Sequence, residues 1–253
     1  PKGDPLLSQS IKQYKGSAPF GIAPSPDGTV WATNSGGLGG TSTSSVARFE
    51  LNELDELQQT FLFPVGDTLK VVVTDSMGNA WVSSQGNNTI YVFSPESRFI
   101  GTYTGGGMDG PWGLAVDGED HIWVSNFGPL EAGSNFTDGR ISKFCGANPD
   151  TWPKGKEMGD PLTPSTGYNV PSAGEQVRLA DGSPLYGVSI PPNPSFAPMM
   201  RQTSLQIDAA GNIWTLNNWK PDFDGDINPV TGNPPGDGII IFVGLAPPPP
   251  IEP

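Results

Sequence analysis

The chain has 253 residues and carries 26 acidic against 13 basic side chains, a formal net charge of −13 at pH 7. That balance leaves no basic footprint for nucleic acid and disfavours anionic membrane surfaces. One cysteine, Cys145, and one histidine, His121, exclude an intrachain disulfide, a zinc site built from His and Cys, and catalysis that needs two histidines. Gly and Pro make up about a quarter of the residues, but they punctuate regular apolar runs, so the composition predicts a turn-rich all-β protein. No apolar run is long enough to span a bilayer as a helix. There is no signal-peptide pattern, and the chain begins at Pro1 rather than Met, as expected of a processed form or part of something longer.

The predicted elements follow in chain order. "IKQYKG", Ile11 to Gly16, reads as an outer strand with no blade before it. "PFGIAPSPDGTVWATN", Pro19 to Asn34, reads as strand, tight turn, strand. The glycine run from Gly36 to Gly40 lacks a Lys and opens no helix, so it is a flexible connection and not a phosphate loop. "SVARFEL" from Ser45 and "LQQTFLFPV" from Leu57 supply a third and a fourth strand. The same order returns in "LKVVVTDSMGNAWVSS" from Leu69, "NTIYVFS" from Asn88 and "RFIGTYTGG" from Arg98. It returns again in "PWGLAVDGEDHIWVSN" from Pro111 and "RISKFCG" from Arg140. Residues 147–200 contain "DPLTPSTGY", "DGSPLYG" and "PPNPSFAP"; they read as a long insertion, with a diverged blade as the alternative. "TSLQIDAAGNIWTLN" from Thr203 and "GIIIFVGL" from Gly238 form the last copy, and residues 247–253 are a Pro-rich tail.

The copies align on Trp31, Trp81, Trp123 and Trp214. Six residues before the tryptophan stands Asp75, Asp117 or Asp208, with Ser25 in the first copy. Three before it stands Gly28, Gly78 or Gly211, with Asp120 in the third. The Asp accepts backbone N–H groups inside the turn and the Gly supplies a positive φ. The tryptophan sits on the second strand, where alternation points it to one face. Four strands per unit at a period of roughly 45 residues predict a β-propeller, with the gap from Trp123 to Trp214 spanning about two periods. Residues 1–246 form the propeller, with blades near 17–66, 67–106, 109–146 and 201–245. Four blades are clear; a fifth is hidden in the insertion, or the chain belongs to a larger ring. Pairing of Ile11–Tyr14 with Ile239–Phe242 would close the ring within the chain.

"GLAVDGEDHIWVSN" and "LQIDAAGNIWTLNNW" resemble NHL-type repeats. They are similar to the bacterial extracytoplasmic propellers grouped with the streptogramin-lyase-like (virginiamycin B lyase-like) proteins. The stretch "CGANPDTWPKGKEMGDPLTPSTGY", with "MRQTSLQIDAAGNIWTLNNWK" and "FVGLAPP", also resembles the C-terminal region of uncharacterised bacterial NHL-repeat proteins. The lyase resemblance implies a ring-opening elimination with a metal ion and a catalytic histidine on one face. In those lyases the repeat phrase usually ends Trp-Phe-Thr-Glu; that Glu is absent from all four copies here, so no catalytic residue is assigned. Calcium-dependent lactonases of the same kind of fold hold their metal through Glu, Asn and Asp in the channel.

Asn34, Asn126 and Asn217 recur three residues after the tryptophan, where they would line a channel mouth. Asn218 and Trp219 follow directly, and Trp112 also lies outside the repeat's core position, so the two tryptophans can stack on a sugar or another flat ligand. Asp222, Asp224, Asp226 and Asn228 alternate around Gly225, a pattern of oxygen ligands suited to Ca²⁺, the one cofactor the sequence suggests. His121, with Glu119 and Asp120, is expected on a surface turn, and Cys145 as a buried structural thiol. The leading functional expectation is an extracytoplasmic binding or scaffold module that takes a protein, small-molecule or glycan ligand on one face of the ring, within a larger chain or assembly. Pro247 to Pro250 would then be a stiff tail towards a partner. The alternative is a metal-dependent lyase or lactonase. If the Asp222–Asn228 loop holds Ca²⁺, EDTA should lower the melting temperature and added CaCl₂ should restore it; a curve indifferent to both removes calcium from the description.

Overall fold

The computed structural model describes residues 18–36, 44–53, 57–128, 139–168, 199, 201–217 and 239–249. Four antiparallel sheets follow one another along the chain. The first holds β1 (Pro19–Pro24), β2 (Val30–Asn34), β3 (Ser45–Leu51) and β4 (Leu57–Pro64) in that order. The second holds β5 (Leu69–Thr74), β6 (Ala80–Ser84), β7 (Thr89–Phe93) and β8 (Phe99–Tyr103). The third has β9 (Pro111–Val116), β10 (Ile122–Asn126) and β11 (Arg140–Phe144); the fourth has β12 (Gln202–Ile207), β13 (Ile213–Asn217) and β14 (Ile239–Phe242). Within each sheet every strand pairs with its sequence neighbour. The first strands β1, β5, β9 and β12 lie side by side in that order, which stacks the sheets as successive blades of a β-propeller.

The turn between the first two strands of each blade is closed by its aspartate. Asp75 Oδ1 accepts the N–H groups of Met77 at 3.1 Å and Asn79 at 2.9 Å. Its Oδ2 accepts Asn79 Nδ2 at 2.9 Å and the indole Nε1 of Trp81 at 2.8 Å. Asp208 repeats this set with Ala210, Asn212 and Trp214, and Asp117 with Glu119, His121 and Trp123. The sequence foresaw the backbone half of this arrangement; the grip on the indole is added by the fold. Gly78 and Gly211 take the expected positive φ, +80 and +79. Asp120 stands in for glycine at φ +63 and uses its carboxylate to accept from Ser76 N and Ser76 Oγ on the turn of the preceding blade. In the first blade Ser25 is too short to reach, and the buried Trp31 Nε1 has no hydrogen-bond partner among the described residues.

Trp31, Trp81 and Trp123 each pack against the next blade. Trp31 packs among Leu69, Val72, Ala80, Val82 and Phe93 of the second blade. Trp81 packs among Leu114, Ile122, Val124 and Phe144 of the third, and Trp123 among Leu205 and Ile213 of the fourth. Among the described residues the hydrophobic core is therefore chiefly a series of inter-blade layers, one for each of Trp31, Trp81 and Trp123.

Residues 159–168, which the sequence reads as insertion loop, run antiparallel along β11. Cys145 N donates to Asp160 O, Leu162 N to Lys143 O, and Tyr168 exchanges both backbone bonds with Ile141. They form a ragged outer edge for the third blade. Pro161 and Pro164 interrupt the strand pattern that would have revealed it. A short 3₁₀ turn, Pro149–Thr151, leads into this edge. After β14 the chain turns back. Ala246 N donates to Gly211 O and Gly118 N donates to Pro247 O, so Ala246 to Pro249 lie along the turns of the fourth and third blades. A Cβ on Gly118 would sit 1.8 Å from Pro248 O, so the close approach requires glycine there. Pro247, Pro248 and Pro249 thus rest on their own propeller and do not point away from it. Ile11–Tyr14, proposed above as the ring-closing strand, lies outside the described residues.

The turn aspartate makes a direct prediction. Asp75→Ala strands a buried indole N–H and two backbone N–H groups, and should cost about 2–4 kcal/mol of unfolding free energy in denaturant titration. Asp208→Ala makes the same contacts unavailable on a half-exposed turn and should cost less; equal losses would show that burial of the indole N–H does not set the cost.

Candidate functional site

The second residue of each innermost strand stands at the end of the blade where β2, β6, β10 and β13 finish, because Pro19 pairs with Asn34, Pro111 with Asn126 and Gln202 with Asn217. In the first three blades that residue is Phe20, Lys70 and Trp112. They meet. The Lys70 ammonium lies 4.7 Å from the Phe20 ring centroid and 4.0 Å from that of Trp112. Phe20 and Trp112 contact each other edge-on at 5.6 Å. Trp112 stacks at 4.6 Å on Phe127, the first residue after β10, and the Arg201 guanidinium lies 4.5 Å over Phe127. A ladder of rings and cations thus runs from the first blade to the fourth.

Lys70 is the unusual member. Its residue is 3% exposed, its burial pushes the ammonium pKa below the ordinary value, and among the described residues no carboxylate answers it. Each ring face contributes about 0.5–2 kcal/mol to holding such a cation. Phe20 is about half exposed, so the ladder opens to solvent on the Phe20 side.

The residues singled out in the sequence fall as follows. Trp112 is in the ladder. Asn34 and Asn126 are fully buried. Asn34 Nδ2 donates to Ser45 Oγ at 2.9 Å; Asn126 Nδ2 donates to Arg140 O and Ser142 Oγ, and its Oδ1 accepts Asp109 N. Both therefore fasten the second strand to the third. Asn217 ends β13, opposite Gln202. Asn218, Trp219, Asp222, Asp224, Asp226 and Asn228 lie outside the described residues. Sequence reasoning missed Phe20, Lys70, Phe127 and Arg201. The available signal was the shared alignment column of Phe20, Lys70 and Trp112.

His121 is not a surface residue; it is buried, as is Cys145. His121 occupies the place that Asn79 and Asn212 hold in their turns, and its Nδ1 lies 3.3 Å from Asp117 Oδ2. The acidic turn drew the side chain inward instead of leaving it in solvent. Lys143 Nζ lies 3.4 Å from Asp117 and 5.0 Å from the Trp123 ring. Burial pushes the Asp117 carboxyl up, but hydrogen bonds from His121 and Trp123 and the Lys143 charge outweigh it, so its pKa lies below the ordinary 3.8. Asp75, in an equivalent turn, is pushed up by burial, and its hydrogen bonds do not offset that. No group of three or more His, Cys, Asp and Glu side chains converges among the described residues. Among them, no helix is long and apolar enough to cross a membrane.

No protein-family model matches the chain, and no curated protein matches it. Solved structures do resemble it. A presumed gluconolactonase aligns with 96% of this chain and 63% of its own, at 14% identity and a TM-score of 0.51. Hydrazine synthase from Kuenenia stuttgartiensis aligns with 94% of this chain and 49% of its own, at 13% identity and 0.51. A streptogramin B lyase aligns with 81% and 50%, at 18% identity and 0.44. In each case this chain spans less than two thirds of the other. The likeness is one of fold, a β-propeller, as the repeat predicts.

The Asp117 cluster sets an acid dependence. A carboxyl with a depressed folded pKa stabilises fully above the ordinary 3.8 and loses that contribution as pH falls through the folded value. Lys143→Met should therefore lower stability at pH 7 and flatten its decline below about pH 4 relative to the parent. Parallel urea midpoints at the two extremes would refute the coupling.

Proposed function

We propose that the chain is a ligand-binding module that works at the blade ends carrying Phe20, Lys70, Trp112 and Phe127. One observation supports this above others: a nearly buried ammonium is held between two aromatic faces without a carboxylate among the described residues. A buried cation lacking an anion is costly, and an anion delivered by a ligand relieves that cost. The rings beside it provide a surface for the ligand's flat apolar body. The favoured class is a small organic anion with a planar or apolar body. The acidic surface, at −13 overall, repels anions elsewhere and confines their capture to this point.

The lyase or lactonase reading calls for carboxylates converging on a metal. Asp67 and Asp109 stand just before β5 and β9 at these same blade ends, but no three such side chains converge among the described residues, whereas the rings and cations do meet, which favours binding. An extracytoplasmic setting belongs to the same proposal and draws on the repeat's resemblance to exported propellers. A Ca²⁺ site at Asp222–Asn228 remains a proposal from the sequence pattern.

Calorimetry with benzoate, and with benzamide as the uncharged control, tests the site. Benzoate should bind more tightly than benzamide, and Lys70→Met should weaken benzoate about tenfold or more while leaving benzamide almost unchanged. Equal binding of the two probes, or benzoate binding indifferent to Lys70→Met, would overturn the assignment.

A further inference from the structure

Phe20, Lys70 and Trp112 share a backbone device. Where the innermost strand of each of these blades runs beside the second, the register slips by one residue. Phe20 and Gly21 together face Thr33, Lys70 and Val71 face Ser83, and Trp112 and Gly113 face Ser125. Two residues against one make a β-bulge, which re-aims a side chain away from the regular pleat. Each bulge is fixed by the hydroxyl opposite it. Thr33 Oγ1 accepts Gly21 N at 2.8 Å, Ser83 Oγ accepts Val71 N at 3.0 Å and Ser125 Oγ accepts Gly113 N at 3.0 Å. In the first two blades the hydroxyl also reaches forward. Thr33 Oγ1 donates to the carbonyl of Lys70, and Ser83 Oγ donates to the carbonyl of Trp112 at 2.6 Å. Both residues are fully buried. The residue two before each bulge takes left-handed backbone, Ala18 at φ +55, Thr68 at +53 and Gly110 at +60. For the β-branched Thr68 that conformation is strained, and strain of this kind collects at functional sites. It too is held from the preceding blade: Ser44 Oγ accepts Thr68 N at 3.1 Å, and Asn88 Oδ1 accepts Gly110 N at 3.0 Å.

We propose that Thr33 and Ser83 are positioning residues of the anion site: each hydroxyl fixes a bulge in its own blade and sets the place of Lys70 or Trp112 in the next. This deepens, and rests on, the reading of the Phe20–Lys70–Trp112 ladder as that site. A lysine has a long, flexible stem. Its ammonium stays between two rings only if its backbone is fixed against theirs. For Lys70 the fixing bonds come from the first blade, and for Trp112 from the second. The approach is close: a Cβ on Gly21 would stand 2.7 Å from Lys70 O. The geometry between cation and rings is thus imposed across two blade boundaries, and the site is complete only when three blades are stacked.

The test reads Lys70 directly, in the full chain labelled with ¹³C at the lysine Cε. Ring currents from Phe20 and Trp112 should displace the Lys70 signal from the ordinary lysine position, and its absence in Lys70→Met identifies it. Thr33→Val keeps the shape of the side chain and removes the hydroxyl. It should bring the Lys70 signal back towards the ordinary position and weaken benzoate about fivefold or more. Thr33→Ser keeps the hydroxyl and should retain both properties of the parent. Ser83→Ala, which frees Trp112 instead, should move the same signal. Lys143, over the Trp123 ring, serves as the internal control for general loosening and should stay in place. A Lys70 signal that holds its position in both Thr33→Val and Ser83→Ala, with only the urea midpoint lowered, would overturn the inference. So would a Thr33→Ser signal displaced as far as that of Thr33→Val. If the signal moves as expected but the parent does not bind benzoate, the positioning stands and the anion reading falls.

Discussion

The hydrogen bond from a tryptophan indole to an aspartate six residues earlier is the contact on which this molecule depends. The aspartate sits in the turn between the first two strands, and its other oxygen closes that turn by accepting two backbone N–H groups. One carboxylate therefore shapes the hairpin and aims the indole. Since the indole is what one blade presents to the next, the local geometry of a seven-residue phrase is carried into the stacking of whole sheets. Local and long-range structure are thereby specified by the same side chain, which is what a consistent repeat requires.

The variations between copies follow the same logic. Asp120 takes the left-handed backbone of its missing glycine and ties its turn to the preceding blade. His121 substitutes for an asparagine and completes the same carboxylate shell. At Asp117 burial is outweighed by the hydrogen bonds from His121 and Trp123, joined by the Lys143 charge, whereas at Asp75 burial prevails with the Asp120 charge adding to it, so the two buried carboxyls shift in opposite directions from one ordinary value. The first copy, with serine in place of aspartate, retains the packing of its tryptophan but not the hydrogen bond.

Much of this architecture was legible in the sequence because it is periodic. Trp81, Trp123 and Trp214 share a phrase with their aspartates, so strand, turn and facing direction could be read from spacing alone. The ladder of Phe20, Lys70, Trp112, Phe127 and Arg201 was not legible, because its members come from four blades and meet only after the blades stack. Within its own phrase, "LKVVVT", Lys70 looks like the solvated start of a strand; burial comes from Phe20 and Trp112, far away in sequence. Asn34 and Asn126 recur with a structural bond that spacing alone does not show: each ties the second strand of its blade to the third. The edge formed by residues 159–168 was hidden by prolines that break the alternation without preventing a few backbone bonds to β11.

The return of the chain after β14 has a mechanical meaning. Pro247 and Ala246 are bonded to the turns of two different blades, Gly118 in the third and Gly211 in the fourth. A pull applied beyond Pro249 therefore does not peel β14 from its sheet one bond at a time. It must first shear the segment off the third blade's turn, so tension enters the body of the propeller across a blade boundary. Anything tethered at that end would be anchored to two sheets at once.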